Sequence, residues 1–442
     1  MNRLELMAVT LLGAMVLLFS LALPPVATAP TVVAEADDGG GGNNITPPTV
    51  LTEEATDITF ASATLKGNIT STGGENCDQR GFEWGETESY GNDWIQNGSY
   101  GVGNFSQAIT GLKSNTTYHF RAKAHNSAGW GYGADMEIST PPSPLEIYAP
   151  VLYLHPEEDY YPVSIYSMLN ESNLESWDET TKQGAPIPAN PTLENLSVYN
   201  ATSIYLDIPQ SEPCFLRTGV PWGFLPADPP EPSSFEGYNL TVYGRQVEKT
   251  YHGTGYIVLQ YWFFYPYNKW YNCHEGDWER IQIICDKATE TPEKVTFGHH
   301  DGGDTYDWGD AEVSLVAETH PVVFVGLGSH SAWATKGVHW ILPLSSDYLA
   351  DYTSQSGTAL FPEYMDGSGV EGVDKQPYVL EDISAEPPWV KWQGRWGQFV
   401  PGPLGGGGAM GVDSPANVVI NRINVWDDPV EWAYNPGSGL GP

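Results

Sequence analysis

Short stretches of alternating hydrophobic and polar residues recur along this chain, and their period of two is typical of β-strands. Apolar and basic side chains alternate most clearly along residues 117–124: Tyr118, His119, Phe120, Arg121, Ala122, Lys123 and Ala124. Residues 256–265 are instead apolar at every position except Gln260, which predicts a central strand covered on both faces. A helical period of 3.6 residues is not sustained anywhere after residue 148. The pattern therefore predicts an all-β protein.

The proline-rich segment at residues 141–144 divides the chain into two β units. Residues 48–141 are predicted to form one small β-sandwich, and residues 148–442 a larger β-sandwich domain with long loops. A linker at residues 142–147 joins the two units. Residues 30–47 are acidic and glycine-rich, and this composition predicts a flexible tether.

The first 29 residues have the features of a signal peptide. Arg3 precedes an uncharged apolar run at residues 6–23, and Ala27-Thr28-Ala29 supplies a cleavage pattern. With roughly 18 residues, the run is also long enough to remain in a membrane as an uncleaved anchor. No other segment is apolar enough to span a membrane. We expect a secreted or cell-surface protein that lacks residues 1–29, with the retained anchor as the alternative.

The sequons of the chain agree with export. Nine Asn-x-Ser/Thr sequons, all before residue 242, indicate a glycosylated exterior: Asn44, Asn68, Asn97, Asn104, Asn115, Asn170, Asn195, Asn200 and Asn239. The chain carries 19 Lys and Arg residues against 55 Asp and Glu residues, a net charge of −36. Such a chain is unsuited to binding nucleic acid or an anionic membrane surface through charge. A cation or a metal-bearing partner suits it better.

Four cysteines are few for a disulfide-stapled scaffold, and none lies in a Cys-x-x-Cys pair. In an exported protein we expect one bridge among Cys214, Cys273 and Cys285. Cys77 is then left free or buried. The spacing does not decide which pair forms.

The densest candidate chemistry lies at residues 274–279, His-Glu-Gly-Asp-Trp-Glu. Strand alternation places Asp277 and Glu279 on the face that also carries Ile281. Carboxylates buried beside apolar residues must be protonated, paired with a basic group or bound to a cation. His274, three residues before Asp277, can reach the same point. The segment is therefore a candidate metal site, and the alternative is a strand end at which both acids meet solvent or an arginine.

The N-terminal unit carries a hairpin pattern that resembles the fibronectin type III domain. Residues 111–129 match the final hairpin of that family, and residues 81–85, Gly-Phe-Glu-Trp-Gly, match its middle strand. Leu112 and Tyr118 fit the tyrosine corner of such sandwiches. The resemblance implies a spacer or adhesion module. The unit has no Arg-Gly-Asp loop, so integrin binding is not implied.

Six motifs follow one another in the C-terminal unit, at residues 148–156, 260–268, 274–279, 300–303, 320–330 and 394–397. Their order resembles the vacuolar protein sorting-associated protein 62 family over nearly the whole unit. The biochemical activity of that family is poorly defined. The resemblance therefore implies a β domain and little about function.

A more distant similarity joins residues 274–279 to the necrosis- and ethylene-inducing-like proteins, which are secreted cytolysins. The H-x-x-D-W-E part of their signature, whose His, Asp and Glu help to hold a divalent cation, is kept as His274, Asp277, Trp278 and Glu279. Asn268 stands where that family has a further Asp. The resemblance implies a metal site formed by Asn268, His274, Asp277 and Glu279, with His300 and His330 as additional candidates. Because oxygen ligands dominate, we expect Ca²⁺ or Mg²⁺ ahead of Zn²⁺.

Three functions are open from the sequence. The preferred one is a non-catalytic exported protein whose metal-bearing β domain binds a glycan, glycolipid or surface protein. The second is a metal-dependent hydrolase with Asp277 or Glu279 as base and His300 or His330 as acid, although no complete catalytic set is evident. The third is a cytolysin-like membrane-active protein, supported by the H-x-x-D-W-E motif alone. His299 faces away from His300 on a strand, so only one of them can join a shared site, and the family order favours His300.

Cleavage of the leader is directly testable. We predict that the mature protein begins near residue 30, because the apolar run ends in a small-residue cleavage pattern. N-terminal sequencing of the purified protein checks this expectation. A sequence that starts at Met1, with the protein in the membrane fraction, would show a retained anchor instead.

Overall fold

The computed structural model describes residues 44–178, 183–209, 215–216, 224–225, 232–269, 274–299, 302–340, 350–363, 365, 367, 370–371, 374–399, 410–420 and 422–436. The predicted signal peptide and most of the tether lie outside these residues. The described chain is predominantly β, with α-helices of four to six residues, which confirms the all-β class. Within the described ranges, no helix is long and apolar enough to cross a membrane.

The N-terminal module is a two-sheet sandwich of eight antiparallel strands. They are β1 (Thr49–Thr56), β2 (Ser62–Ser71), β3 (Cys77–Gly85), β4 (Asn92–Tyr100), β5 (Gly103–Thr110), β6 (Thr117–Asn126), β7 (Gly129–Tyr132) and β8 (Met136–Ser139). One sheet has the order β1-β2-β5, and the other has the order β4-β3-β6-β7 with β8 also paired to β6. These strands pair only with one another, so the module is closed by its own hydrogen bonds.

The module has a core of its own, and its corner is the predicted one. Phe120 and Ala122 of β6 are fully buried between the sheets, as the alternation of residues 117–124 predicts. The backbone N–H of Lys113 donates a hydrogen bond of 2.8 Å to the hydroxyl of Tyr118, and Leu112 is buried beside it. This is the tyrosine corner. The fold of the module is therefore fibronectin type III-like.

The C-terminal unit is built around one curled sheet. Its strands and helices are α1 (Pro144–Ile147), β9 (Val151–Tyr153), α2 (Tyr166–Glu171), β10 (Asn173–Asp178), β11 (Gln183–Pro186), α3 (Leu193–Val198), β12 (Ile204–Asp207), β13 (Phe215–Leu216), β14 (Phe224–Leu225), β15 (Thr241–Tyr251), β16 (Thr254–Asn268), β17 (His274–Asp286), β18 (Pro292–His299), β19 (Gly302–Asp307), β20 (Leu315–Val316), β21 (His320–Val325), β22 (Ala332–Trp333), β23 (Gly337–Trp340), β24 (Ala350–Thr353), β25 (Thr358–Pro362), β26 (Asp374–Asp382), β27 (Arg395–Phe399), β28 (Met410–Asp413), β29 (Val419–Ile420), β30 (Ile423–Asn424) and α4 (Pro429–Tyr434).

Eleven of these strands form the large sheet, in the order β19-β18-β17-β16-β15-β26-β25-β9-β21-β20 with β22 also paired to β21. A second sheet has the order β11-β10-β12-β27-β28. The central strands β16 and β17 are buried on both faces: Trp262 and Trp278 pack in one core, and Tyr261 and Ile281 in another. The prediction of a central strand covered on both sides is therefore confirmed.

Three polar side chains in the middle of the large sheet hold the C-terminal segment against it. Arg245 donates to the carbonyl oxygen of Trp426 at 2.7 Å, and Gln260 donates to that of Val425 at 2.8 Å. Gln282 of β17 donates to the carbonyl oxygen of Pro429 at 2.7 Å. Buried polar groups are tolerated when they are hydrogen-bonded. Gln260 is thus the one polar residue in its apolar run because it anchors another segment.

Two of the four cysteines are described, and both are free, buried thiols: Cys77 in the N-terminal module and Cys285 in β17. Burial raises the pKa of Cys285 to about 12, so this thiol is inert at neutral pH. Of the three bridges that the sequence left open, two need Cys285 and are removed. The remaining pair, Cys214 and Cys273, lies outside the described residues.

The tyrosine corner gives a testable prediction. Replacing Tyr118 with Phe keeps the ring but leaves the Lys113 N–H without its acceptor, which we expect to cost about 1 kcal/mol of unfolding free energy. Hydrogen–deuterium exchange of the peptide that contains Lys113 should become correspondingly faster. The control is Tyr132→Phe, because Tyr132 is 44% exposed on the same module. Equal exchange in both variants would contradict the assigned role of the corner.

Candidate metal centre

The candidate site lies at the end of the β16–β17 hairpin, where strand alternation is broken. Tyr265 packs in the same core as Ile281, whereas Tyr267, two residues further along β16, packs in the opposite core. Residues two apart on a regular strand share a face. The break therefore lies between them, at Pro266 and at Gly276 of the neighbouring strand.

Gly276 permits this break. Its φ angle is +62°, in the left-handed region that favours glycine. A Cβ atom at this position would lie 1.9 Å from the carbonyl oxygen of Trp396 in β27. Both the backbone conformation and the close approach of β27 therefore require a residue without a side chain.

Beyond the break, the side chains change face. Glu275 points to the opposite core, where its carboxylate accepts the backbone N–H of Ile208 at 3.2 Å. Asn268 reaches the other way, and its Nδ2 donates to Oδ2 of Asp277 at 3.1 Å. His274, which lies opposite Asn268 in the ladder, has its Nδ1 at 2.8 Å from the carbonyl oxygen of Gly276. Because a carbonyl oxygen can only accept, Nδ1 carries a proton, and Nε2 is the nitrogen that could bind a metal.

Asp277 is also paired with a histidine. Nδ1 of His330 lies 2.9 Å from Oδ2 of Asp277, and Nε2 of the same ring lies 3.4 Å from Oε1 of Glu158. The ring of His330 is fully buried. Burial by itself lowers the pKa of His330, but the charges of Glu158 and Asp277 and their hydrogen bonds raise it to about 9. His330 is therefore an imidazolium at neutral pH, with no lone pair left for a metal.

The loop of residues 326–331 presents this histidine. His330 has a φ angle of +57°, and its backbone N–H donates to the carbonyl oxygen of Gly326 at 2.9 Å. Glu158 also fixes the loop, because its Oε2 accepts a hydrogen bond from the backbone N–H of Gly328 at 2.7 Å. The ring of His330 stacks on that of Tyr265 with centroids 3.9 Å apart and planes 4° apart. The loop is therefore fixed by hydrogen bonds and by stacking.

Tyr265 places a hydroxyl among the carboxylates. This hydroxyl is buried and has no hydrogen-bond partner in the part of the chain that is described. Burial, and then the charges of Glu158, Glu279 and Asp277, raise the pKa of Tyr265 well above its usual range. The phenol therefore stays protonated and can donate a hydrogen bond to a bound group.

Glu279 lies one step further into the sheet. It is buried, opposite Phe263 of β16. The pairing of β17 with β18 ends at Ile281–Phe297, and His299 lies two residues beyond Phe297 on β18, on the same strand face. The ring of His299 stacks on Trp333 with centroids 4.2 Å apart. The face shared with Asp277 and Glu279 thus receives His299. His300, which the family order favours, lies outside the described residues.

The four ligands inferred from the sequence are brought to one end of the hairpin, but they do not form a closed cage. Among the described residues, the one trio of His, Cys, Asp or Glu whose ligand atoms all lie within 4.8 Å of one another is elsewhere, in the N-terminal module. At the hairpin, Oδ2 of Asp277 carries two donors, whereas Oδ1 has no hydrogen-bond partner within the described ranges. These residues fit a cation that keeps several water ligands, as Mg²⁺ and Ca²⁺ do.

Comparison with known proteins gives no independent support for the fold or the site. No protein-family model matches the chain, and no curated protein matches it. The sensor domain of the anti-sigma factor RsgI4 in Pseudobacteroides cellulosolvens is 18% identical, over 22% of this chain and 99% of that chain, with a TM-score of 0.20. The 6th fibronectin type III domain from human fibronectin type III domain containing protein 3 is 26% identical, over 24% and 92%, with a TM-score of 0.17. Such scores carry no argument, so the assignment of the module rests on its own strands and corner.

The break at Gly276 gives a testable prediction. Gly276→Ala introduces left-handed strain of roughly 1–2 kcal/mol and, in addition, a collision with β27 that we expect to cost about 1–3 kcal/mol more. Gly253→Ala is the matched control, because Gly253 has a φ angle of +87° and no atom within 4 Å of an added Cβ. Chemical unfolding of both variants measures the difference. Equal losses of stability would show that β27 does not constrain the hairpin.

Proposed function

We propose that this chain is an exported, non-catalytic protein whose C-terminal unit binds a glycan, glycolipid or cell-surface protein through a divalent cation. The fibronectin type III-like module acts as the spacer. The observation that carries the proposal is that the two carboxylate oxygens of Asp277 have different surroundings. Oδ2 is held by Asn268 and His330, and Oδ1 is left for a ligand.

The charge around Asp277 supports a cation. Glu158 and Asp277 carry two negative charges against the single positive charge of His330. Glu279 is buried on the same face of the sheet and contributes to the field at Tyr265. The two carboxylates of Glu158 and Asp277 thus exceed the charge of His330 by one, and a buried excess of this kind favours a bound cation.

The chemistry of the donors supports a hard cation. Asn268, Asp277 and Glu279 offer oxygen, and His274 offers Nε2 because its Nδ1 is committed to a backbone carbonyl. A ligating histidine commonly donates its other N–H to such a carbonyl. Ca²⁺ and Mg²⁺ prefer oxygen-rich sets, and either ion, when bound, supplies coordination positions for oxygens of the partner.

The burial of His330 supports a binding role over hydrolysis. A general acid must reach the atom that it protonates, and this ring has no exposed surface and has both nitrogens engaged. Glu275, at one of the two variable positions of the H-x-x-D-W-E motif, serves as a buried acceptor for the backbone N–H of Ile208. The burial of His330 therefore argues against this histidine as the acid of a hydrolase, whereas His300, the other acid candidate, lies outside the described residues.

Export and glycosylation are part of the same proposal, and the exposure of the sequons supports them. Seven of the nine sequon asparagines are exposed and the other two, Asn68 and Asn195, are half-buried. Attachment of a glycan requires an accessible asparagine, so a fully buried sequon would argue against glycosylation. The resemblance of residues 148–442 to the vacuolar protein sorting-associated protein 62 family also belongs to the proposal.

Metal-dependent stability tests the cation. In the full chain, Ca²⁺ or Mg²⁺ at a hundred times its dissociation constant should stabilise the C-terminal unit by about 2.7 kcal/mol relative to excess chelator. Asp277→Asn should abolish that difference. Glu275→Gln, which removes a carboxylate from the same strand but from the opposite face, should keep it. Differential scanning calorimetry with and without chelator measures all three proteins.

A gain of affinity provides the complementary arm, because Asp277→Asn also weakens the pairing with His330. Asn268→Asp adds an anionic ligand and should tighten the binding of Ca²⁺ in isothermal titration. Arrays of glycans and lipids, probed with and without chelator, then test the partner. A calorimetric trace that is insensitive to chelator, Ca²⁺, Mg²⁺ and Zn²⁺ would contradict the cation. Binding to the arrays that survives chelator would contradict its role in recognition.

A further inference from the structure

A second group of possible ligands lies on the N-terminal module, independent of the hairpin site. Glu88 from the β3–β4 connection, His119 from β6 and Asp135 from the β7–β8 connection place a carboxylate oxygen, a ring nitrogen and a second carboxylate oxygen within 4.8 Å of one another. We call this trio the His119 cluster. Three separate segments of a rigid sandwich bring it together, so its geometry does not depend on one flexible loop.

Two members of the cluster, His119 and Asp135, are held by hydrogen bonds. Oδ2 of Asp135 lies 2.8 Å from Nδ1 of His119, and the hydroxyl of Tyr90 donates to Oδ1 of Asp135 at 2.9 Å. Tyr90 thereby fixes which oxygen of Asp135 faces the ring. The side chain of His119 is 18% exposed, so the ring is anchored in the sheet and its edge is still reached by solvent.

The other nitrogen of the ring meets a further carboxylate. Glu137 of β8 lies directly opposite His119 in the ladder, and its Oε1 is 3.8 Å from Nε2. Histidines that bind metals generally donate their second N–H to a carboxylate or a carbonyl, which fixes the tautomer and raises the basicity of the ligating nitrogen. At 3.8 Å, Glu137 is beyond hydrogen-bond distance of Nε2, and a rotation of its 65% exposed side chain is needed to bring it into that supporting position.

His125, a second histidine on β6, provides a comparison for His119. His125 lies on the same face of β6, and its Nδ1 is 2.7 Å from Oδ1 of Asp78. The two histidines thus have the same kind of pairing with an aspartate. Within the described residues, His125 has no second carboxylate to complete a trio of ligand atoms, whereas His119 has Glu88.

We propose that Glu88, His119 and Asp135 bind one Zn²⁺ ion, with Glu137 as the supporting carboxylate. One imidazole and two carboxylates form a ligand set that Zn²⁺ accepts, with water in the remaining position. Ligand atoms about 2.0–2.1 Å from a tetrahedral ion lie about 3.3 Å from one another. The atoms of the cluster lie within 4.8 Å. To close the set, the exposed Glu88 side chain rotates inward, and Nδ1 of His119 and Oδ2 of Asp135, now 2.8 Å apart, separate by about 0.5 Å as the ion displaces the proton between them.

Titration of matched variants of the full chain tests the proposal. Zn²⁺ is titrated against a chromophoric chelator with the wild type, His119→Gln and His125→Gln. His119→Gln should lose one tight equivalent of Zn²⁺, and His125→Gln should keep it. Glu137→Gln should weaken that equivalent by roughly ten- to hundredfold. Asp277→Asn should keep it as well, which separates this site from the one at the hairpin.

A measurement on the wild type guards against variants that fail to fold. Diethyl pyrocarbonate modifies accessible histidines, and the side chains of His119 and His125 are 18% and 28% exposed. Zn²⁺ should protect His119 and leave the labelling of His125 unchanged, as read by mass spectrometry. Loss of the same Zn²⁺ equivalent in both variants or in neither, or equal protection of both rings, would overturn the proposal.

Discussion

The charge of a carboxylate buried in a sheet must be balanced, and the region around Asp277 is organised by that requirement. Asp277 lies on the strand face that also carries Ile281 and Ile283, in a core of aromatic and aliphatic side chains. The imidazolium of His330 lies between Asp277 and Glu158 and balances one of their two charges. This pairing joins the start of the C-terminal unit, the central hairpin and the loop of residues 326–331. One charge thus ties together three segments that are distant in sequence.

The break in the hairpin determines which side chains surround Asp277. Because Gly276 adopts a left-handed conformation under β27, Glu275 is turned to the opposite core and Asn268 is turned toward Asp277. A regular strand would have placed Asn268 on the side of Trp278. The same irregularity therefore supplies a structural acceptor on one face and a polar neighbour for Asp277 on the other. Local departures from ideal strand geometry are common next to functional sites.

Local patterns predicted much of this structure. The alternation around Tyr118 and the apolar run of residues 256–265 predicted an inward face and a doubly covered strand, because burial imposes a period on single segments. The alternation of side chains along a strand also placed Asp277 and Glu279 on the same face as Ile281. The role of Glu158 was not predictable, since it depends on a contact with a loop 170 residues away. The change of strand face at Gly276 was not predictable either, because it depends on the close approach of β27. The special position of Tyr265 could not be recognised, because nothing distinguishes this residue from its neighbours in the apolar run.

An anomalous difference map tests cation binding at the hairpin most directly. Crystals of the full chain, grown with Mn²⁺ in place of Ca²⁺ or Mg²⁺, would locate the ion without reliance on a variant. Binding through Asp277 predicts a peak about 2.0–2.6 Å from Oδ1, with Oδ2 still held by Asn268 and His330. Absence of a peak beside Oδ1 at saturating Mn²⁺, with His330 still between Asp277 and Glu158, would show that the imidazolium alone balances the buried charge and would contradict the cation site.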